Sequence, residues 1–491
     1  MLDRRHFIQH TAAVSAALAA LRTMPLTAAE PAATKRVGAN DKIRVAVVGV
    51  NGRGMSHVGG FNGVNGCEIV TVCDCDEGVI GKAMEAVTKK TGKPAYEQDI
   101  RKVLEDKSID VVSFATPNHW HALGAIWAMQ AGKHVYVEKP ASHNVVEGRR
   151  MVQAARKHNA ICQVGTQSRS TPGMRAAVGA IHAGKIGAVK TAYASCFKRR
   201  GSIGKVDAPT AVGKGVDYNL WSGPAPLLPI MRKKMHYDWH WVWAYGNGDL
   251  GNQGVHEMDK ARWGLKKDTM PKSVMSVGGR FGYVDDGETA NTQLCVFDYG
   301  DAEMIFEVRG LPSDSPYPQG VGEAKKGSNF VGNIWYGDKG TVVCPNYSSG
   351  VLLDPDNKVV EKFGGGGDAD HFANFIKAVR SGKHTDLNCD IEEGHLSAAL
   401  CHLANVSYRL GEAKTLGELK DVSESEHANA ALTRMVAHLK DNEIDLTKTM
   451  CHFGPTLTMD PKTERFTGNN DKANAMLGRE YRKGFEVTES V

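Results

Sequence analysis

The sequence lacks long runs of like charge, and it lacks the roughly 18 consecutive apolar residues that a membrane-spanning helix needs. Its 60 basic and 55 acidic residues leave a formal net charge of only +5. A nucleic-acid-binding surface normally shows as a basic cluster or tract in the sequence. We therefore expect no membrane span and no nucleic-acid partner.

Cysteine is sparse as well, with 10 residues in a chain of 491. A disulfide-stapled domain shows dense cysteines in its loops, whereas these lie singly in apolar segments, apart from Cys73 and Cys75. That pair could supply half of a metal site, but no second cysteine or histidine pair lies close to it in sequence. We interpret both thiols as structural and expect no metal.

The first 29 residues have the pattern of a cleavable export signal. Arg4 and Arg5 precede an uncharged, alanine-rich stretch at 11–21, and small residues follow up to Ala29. Paired arginines before such a stretch are typical of a twin-arginine signal. We predict a signal peptide over 1–29, a linker over 30–41 and a mature protein that is periplasmic or otherwise extracytoplasmic. An untargeted amphipathic leader is the alternative.

Residues 42–165 alternate short, β-rich apolar runs with helical patterns. Continuous apolar strands separated by helices are typical of a parallel sheet that is covered on both faces. The fold class predicted is α/β, with an N-terminal Rossmann-type doubly wound parallel sheet. The predicted strands are 43–48, 69–73, 111–115, 135–137 and 161–164, and the predicted helices are 82–90, 119–130 and 147–158.

Residues 166–419 show longer strand patterns joined by tight turns, which predicts an α+β domain with a largely antiparallel sheet for substrate binding and oligomerisation. Two helices close it, at 368–381 and 391–410; Asp390 and Glu393 are the predicted caps of the second, and Gly411 its end. Residues 420–491 contain one helical pattern, 426–440, and then a polar tail. We interpret them as a C-terminal wrapping extension.

The first strand runs directly into a glycine turn that is a candidate phosphate-binding loop. Gly49 and Gly54 fill the outer positions of a G-x-G-x-x-G pattern, and Asn51 occupies the middle one; Gly52 and Arg53 complete the turn. Asp74 ends the second strand, where a carboxylate accepts the ribose hydroxyls of an adenosine and repels a 2′-phosphate. The pattern predicts a dinucleotide, with NAD favoured over NADP.

Further polar residues follow the later strands, at the edge where open α/β sheets bind ligands. We predict that they also contact the cofactor: Thr116, Pro117, Asn118, His121, Glu138, Lys139 and Gln167.

The glycine turn, Thr116-Pro117, the triplet Glu138-Lys139-Pro140 and the later Gly254-Val255-His256 with Asp259 resemble the Gfo/Idh/MocA oxidoreductases. The resemblance covers roughly residues 42–411. It implies a nicotinamide enzyme that acts on sugars or cyclitols, and a homo-oligomer, dimer or tetramer, that forms through an exposed sheet of the second domain.

The resemblance also implies the catalytic residues. The triplet's lysine, Lys139, would lie between the nicotinamide and the substrate hydroxyls, and His256 would be the acid/base. An aspartate usually stands four residues before that histidine, whereas this sequence has Asn252, whose amide can orient a hydroxyl but cannot take a proton. For His256 alone, a buried structural histidine is the alternative.

An aromatic cluster precedes Asn252 and supplies candidate substrate contacts: Trp239, Trp241 and Tyr245. Flat aromatic faces suit the C–H faces of a pyranose, but alternation of the tryptophans equally fits one face of a buried strand. Arg169 and Arg175 are compatible with contact to an acidic sugar or with a solvated loop.

Three functions are compatible with these residues. The first is an NAD(P)-dependent oxidoreductase that exchanges hydride between a tightly bound nicotinamide cofactor and a secondary hydroxyl of a sugar or cyclitol. The second is an NAD-dependent glycoside hydrolase that works by transient oxidation at C3 and elimination. The third is a carbohydrate-binding protein with a silent cofactor site, which the presence of both Lys139 and His256 disfavours.

Overall fold

A computed structural model describes residue 38, residues 41–322 and residues 325–491. The predicted signal peptide and most of the predicted linker lie outside these described residues. In the described ranges no helix combines the length and the apolar character needed to cross a bilayer.

The N-terminal domain is built on a six-stranded sheet in which all strands run parallel, in the order β3-β2-β1-β4-β5-β6. The doubly wound sheet predicted from the sequence is confirmed. Its third strand is additional to the prediction, because it is short and only partly buried. The strands are β1 (Ile43–Val48), β2 (Cys67–Cys73), β3 (Ala95–Glu97), β4 (Val111–Phe114), β5 (His134–Val137) and β6 (Cys162–Val164).

Helices cover both faces of this sheet, as parallel strands require. The strand order reverses between β1 and β4, which opens a crevice at the carboxyl ends of the strands. The helices are α1 (Arg53–Gly63), α2 (Gly81–Thr91), α3 (Ile100–Glu105), α4 (Asn118–Gln130) and α5 (Val145–Lys157).

The second domain contains a 12-stranded, mainly antiparallel sheet, which confirms the predicted α+β class. Among the described strands of this sheet, the parallel pair is β7 with β10. The strands are β7 (Val189–Phe197), β8 (Ser273–Gly279), β9 (Thr292–Asp298), β10 (Glu303–Arg309), β11 (Phe330–Gly337), β12 (Gly340–Cys344), β13 (Gly350–Leu353), β14 (Val359–Phe363), β15 (Glu412–Thr415), β16 (Met450–Phe453), β17 (Leu457–Asp460) and β18 (Arg465–Phe466).

Helices cover both faces of the large sheet. Successive side chains of a strand point to opposite faces, so they belong alternately to two cores. Met304 and Phe306 belong to a core with α8 and α10, whereas Ile305 belongs to a core with α11. The helices are α6 (Pro172–His182), α7 (Tyr218–Ser222), α8 (Val255–Gly264), α9 (Asp368–Ser381), α10 (Ile391–Arg409), α11 (Glu426–Asp441) and α12 (Asp471–Ala475).

The C-terminal residues do more than extend along the surface. After α11, strands β16 and β17 both pair with β8 and so continue the large sheet across the boundary expected at residue 419. The polar tail expected after the helical pattern is therefore partly strand. These strands are four residues long, too short for their alternation to stand out in the sequence.

The start of α10 differs in one detail from the prediction. Asp390 does cap the helix, accepting a hydrogen bond from the backbone N–H of Glu392 at 3.1 Å. Glu393 does not cap it, because its carboxylate binds Arg169 at 2.9 Å and also Arg262. Charge pairing with two buried guanidinium groups outweighs the single backbone hydrogen bond of a cap.

Asp259 lies at the centre of this same buried ion cluster. Its carboxylate accepts two hydrogen bonds from Arg169 Nε, at 3.0 and 2.9 Å, and one from the Ser397 hydroxyl at 2.6 Å. Arg169 thus neither binds a substrate nor solvates a loop. The cluster ties α8 to α10 and to the segment that follows β6.

Replacing Asp259 by alanine should lower the free energy of unfolding by about 3 kcal/mol, because two buried guanidinium groups would then share only Glu393. Chemical denaturation of the two proteins measures this difference. The matched control is Asp301→Ala, which removes an exposed carboxylate paired with Lys267 and should change stability little. An Asp259 variant as stable as the control would contradict the structural role.

Candidate active site

A cavity of about 410 Å³ occupies the crevice at the carboxyl ends of the parallel strands. One wall comes from the Rossmann domain and includes Gly49, Asn51, Gly52, Arg53, Asp74, Thr116, Pro117, Asn118, His121, Glu138 and Lys139. The opposite wall comes from the loop segment between β7 and α8 and includes Leu220, Trp221, His236, Tyr237, Trp239, His240 and Asn252. The predicted cofactor residues are thus brought together, apart from Gly54 and Gln167, which lie behind the cavity surface.

The glycine turn is shaped so that backbone can approach a ligand closely. Gly49 has φ of +81°, and a Cβ there would meet backbone atoms of Ala115 at 2.9 Å. A Cβ on Gly54 would lie 1.8 Å from the carbonyl oxygen of Gly49. Gly52 precedes α1 without a side-chain cap, and a Cβ there would have no atom of the described residues within 4 Å. The first turn of α1 therefore faces open space in the crevice, where its dipole favours an anion.

Asp74 holds the turn in place from the end of β2. Its carboxylate accepts hydrogen bonds from the backbone N–H of Val50 at 2.8 Å and of Asp76 at 3.1 Å. Burial raises the pKa of Asp74 above its usual value, and these two hydrogen bonds act against that rise. The carboxylate lines the cavity where the ribose of an adenosine would lie, which favours NAD over NADP.

The hydroxyl of Thr116 is buried at the cavity, and within the described residues it has no hydrogen-bond partner. Nearby His121 is fixed between two carbonyl oxygens, of Pro140 at 2.6 Å and of Thr116 at 2.8 Å. An unpaired buried hydroxyl costs free energy unless a ligand completes it. The unpaired Thr116 hydroxyl and the glycine turn together show that the residues present fit a bound dinucleotide.

Glu138 is the most heavily contacted carboxylate of the site. It accepts hydrogen bonds from Arg53 Nε at 2.8 Å and from Gln167 at 3.2 Å, and it lies 3.2 Å from His57 Nε2. Although burial disfavours the charge, Arg53 and His57 hold the pKa of Glu138 well below its usual value. Glu138 therefore positions Arg53 of the turn and the backbone of Lys139. The side chains of Glu138 and Gln167 already hydrogen-bond to each other.

Lys139 links the two domains across the crevice. Its ammonium group donates a hydrogen bond to the backbone carbonyl of Asn252, in the π-helical turn (Leu250–Gly254) that leads into α8. Burial lowers the pKa of Lys139, while Glu138 opposes that shift and Arg53 adds to it. A lysine with a lowered pKa can exchange a proton more readily than a solvated one.

His256 lies one turn beyond Asn252, on α8. It is 8% exposed, and its Nδ1 has no hydrogen-bond partner within the described part of the chain. Burial, and then the charge of Lys139, lower the pKa of His256 well below its usual value. The imidazole is therefore neutral at ordinary pH and able to accept a proton. It does not itself line the 410 Å³ cavity, whereas Lys139 and Asn252 do.

Two features beside His256 were not identified from the sequence. The ring of Tyr347 lies 5.1 Å from the imidazole, and the Tyr347 hydroxyl accepts a hydrogen bond from Gln253. Behind them, Glu257 and Lys260 form a fully buried pair, and burial raises the pKa of Glu257 to about 7. Tyr347 lies in a loop 91 positions away from His256, where the sequence shows no motif.

The aromatic cluster is not a strand. Residues Asp238–Trp241 form a 3₁₀ turn, so the alternating pattern does not place its tryptophans on one sheet face. Trp239 lines the cavity; Trp241 packs under the guanidinium of Arg200, and Tyr245 is 1% exposed against Trp221. Of the predicted aromatic contacts, the structure places only Trp239 at the cavity.

The cysteine pair shows the features of buried structural thiols. Cys73 is 2% exposed, and burial raises the pKa of Cys73 and of Cys75 well above that of a free thiol. Among the described residues there is no cluster of three cysteine, histidine or acidic side chains that could hold a metal ion. The burial of Cys73 agrees with the structural interpretation of the pair.

A Rossmann domain with a phosphate-binding turn has a lysine, Lys139, that contacts an α+β domain across the crevice. This arrangement defines a two-domain dinucleotide-dependent oxidoreductase fold. The chain belongs to the Gfo/Idh/MocA family. The model described as an oxidoreductase family with an NAD-binding Rossmann fold matches residues 43–166, and the family's C-terminal alpha/beta domain matches residues 188–438.

Curated relatives match over part of their length. A "Glycosyl hydrolase family 109 protein" of Shewanella pealeana is 36% identical over 179 residues, which is 33% of this chain and 39% of that protein. An alpha-N-acetylgalactosaminidase of Shewanella oneidensis is 32% identical over 178 residues, with the same coverage of 33% and 39%. The chain thus matches about two fifths of the length of these relatives.

Solved structures share the fold. Levoglucosan dehydrogenase, in complex with NADH and levoglucosan, superposes with a TM-score of 0.55 at 18% identity and covers 74% of this chain and 96% of its own. The WlbA dehydrogenase of Bordetella pertussis, in complex with NADH and UDP-GlcNAcA, has a TM-score of 0.54 at 22% identity, with coverage of 75% and 97%.

Gly54→Ala should weaken NAD binding by at least about tenfold, because its Cβ would displace the Gly49 carbonyl and distort the turn. Titration calorimetry with NAD measures the affinity. Gly59→Ala on the same helix is the control, since a Cβ at Gly59 has no atom within 4 Å. The control should bind NAD normally and be slightly more stable. Equal affinities of the two variants would contradict the role of the turn.

Proposed function

We propose that this protein is an NAD-dependent oxidoreductase that moves a hydride between a tightly bound nicotinamide cofactor and a secondary hydroxyl of a sugar or cyclitol. The observation that carries the proposal is the contact of Lys139 with the Asn252 carbonyl. It brings a buried lysine of the dinucleotide domain to the start of the helix that carries His256.

The roles of the residues follow from their surroundings. NAD⁺, when bound, supplies the hydride acceptor. His256, held neutral, accepts the proton of the substrate hydroxyl, and the Lys139 ammonium stabilises negative charge on the oxygen that loses it. The Asn252 amide orients a hydroxyl. The opposite wall of the crevice, with Trp221 and Trp239, excludes water and offers apolar faces to a sugar ring.

We further propose that residues 1–29 direct export of the folded protein by the twin-arginine route, so that the mature protein acts outside the cytoplasm. Free NAD is scarce there, which gives a reason for a cofactor that is bound before export and regenerated in each cycle.

A homo-oligomer stays a prediction. Its interface would have to differ from the sheet face that α11 covers with Leu432 and Met435.

The second candidate is an NAD-dependent glycoside hydrolase, favoured by the relatives whose names describe glycosidases. Such an enzyme oxidises C3 transiently, removes the proton at C2, expels the aglycone, adds water and returns the hydride. It needs more than one group that handles protons. The Tyr347 ring lies 5.1 Å from the His256 imidazole and is the candidate for a second such group, although burial raises the pKa of its hydroxyl.

The two functions give different signals with the purified mature chain. We expect free sugars or cyclitols to produce the near-ultraviolet absorbance of NADH, up to one equivalent per bound cofactor. Release of nitrophenol from nitrophenyl glycosides without net NADH would instead establish the hydrolase.

Lys139→Met and His256→Ala should each lower the rate by about 100-fold or more while the protein still binds NAD. Lys90→Met on exposed α2 is the control, and full activity of Lys139→Met would contradict the proposal.

The pH profile tests the state of His256. Because burial and Lys139 lower its pKa below the ordinary 6.5, the base form persists as the pH falls through 6.5. We expect kcat/KM to fall only at a lower pH, and a bound cationic nicotinamide shifts the limb further in the same direction. An acidic limb centred above 6.5 would show that His256 is not the base.

A further inference from the structure

The last 15 residues, 477–491, pack against the Rossmann domain and contact α5 near both of their ends, and we refer to them as the C-terminal strap. The strap begins with the Leu477 carbonyl, which accepts a hydrogen bond from the backbone N–H of Val146 at 3.0 Å. It ends with Val491, which is 6% exposed and belongs to the core of the Rossmann domain. The family model of the second domain stops at residue 438, well before it.

Two arginines of the strap bind the loop segment that forms the far wall of the crevice. Arg482 donates to the backbone carbonyl of Asn219 at 3.2 Å and to the Asn219 side chain. The next two residues of α7, Leu220 and Trp221, line the cavity. Arg479 donates to the carbonyl of Ala244 at 3.0 Å, at the other end of the same segment.

An aromatic contact of the strap reinforces the wall from the Rossmann side. The ring of Phe485 packs against Trp120 and Trp127 of α4, with centroids 5.8 and 6.2 Å apart. The Trp120 indole in turn donates to the carbonyls of Leu220 at 2.8 Å and of Trp221 at 3.1 Å. Trp120 therefore joins the strap, the cavity and the far wall in one set of contacts.

A polar chain leads from the strap to the cofactor side of the crevice. Arg479 Nη1 lies 3.2 Å from His143 Nδ1, and the His143 carbonyl accepts from the Asn247 amide at 3.1 Å. Asn247 also accepts a hydrogen bond from the side chain of Asn118 at 3.1 Å. Asn118 lines the cavity beside Thr116.

We propose that the C-terminal strap retains the dinucleotide by holding the far wall of the crevice closed over it, with Arg479, Arg482 and Phe485 as positioning residues. The inference rests on the proposed function, because it requires NAD in the crevice. A ligand between the Rossmann turn and the far wall contacts both of them, and movement of the far wall away from the turn widens its way out. Each contact that the strap makes with the wall must break in that step, so it slows release.

The experiment measures the rate at which the NAD-loaded full-length mature protein exchanges its NAD for a fluorescent NAD analogue. Arg482→Ala should release NAD about tenfold faster, since it removes a charged donor from both acceptors on Asn219. Asn219→Ala removes the side-chain oxygen that accepts a hydrogen bond from Arg482. The double variant should release NAD no faster than Arg482→Ala alone, because both changes break one contact.

Lys483→Ala is the matched control, because it removes a neighbouring exposed cation of the strap. It should release NAD at the wild-type rate. Thermal unfolding of the NAD-free proteins shows whether a variant is merely destabilised: a retention role predicts faster release with little change in melting temperature. Release from Arg482→Ala within twofold of the control would overturn the proposal. A wild-type protein that binds no NAD would instead overturn the proposed function.

Discussion

The site depends on one buried carboxylate. Glu138 directly follows the parallel strand β5 and is bound by Arg53 from α1, His57 from the same helix and Gln167 from the segment after β6. Breaking such an arrangement leaves charge uncompensated in a low-dielectric interior, so its geometry is strongly fixed. That geometry aims the adjacent Lys139 across the crevice to the second domain. The cofactor turn and the predicted catalytic lysine are thereby held by the same group.

Much of the fold could be predicted because buried strands and helices have characteristic patterns of apolar residues in the sequence. Strands covered on both faces are continuous apolar runs, and helices such as 368–381 end at a glycine that adopts φ of +67°. Among the elements that were not predicted are β3 and β15–β18. They are short and partly exposed, and long-range pairing rather than their own composition places them in a sheet.

The site could be predicted where chain order and spatial order coincide. The carboxyl ends of parallel strands meet at one edge, so Asp74, Thr116 and Lys139 could be grouped from their positions after successive strands, and the family resemblance supplied His256. The far wall of the crevice could not be predicted, because irregular loop segments and a C-terminal strap form it. Tyr347 was missed for the same reason: tertiary packing alone brings it to the imidazole.

The central claim is that NAD occupies the crevice with its reactive ring against Lys139, on the side of the crevice from which α8 and His256 follow. A crystal structure of the protein grown with NAD tests that claim most directly. We predict density for the pyrophosphate at the first turn of α1, the adenosine ribose at Asp74 and the nicotinamide within contact of Lys139. A crevice that stays empty at saturating NAD, or a cofactor bound elsewhere, would contradict it.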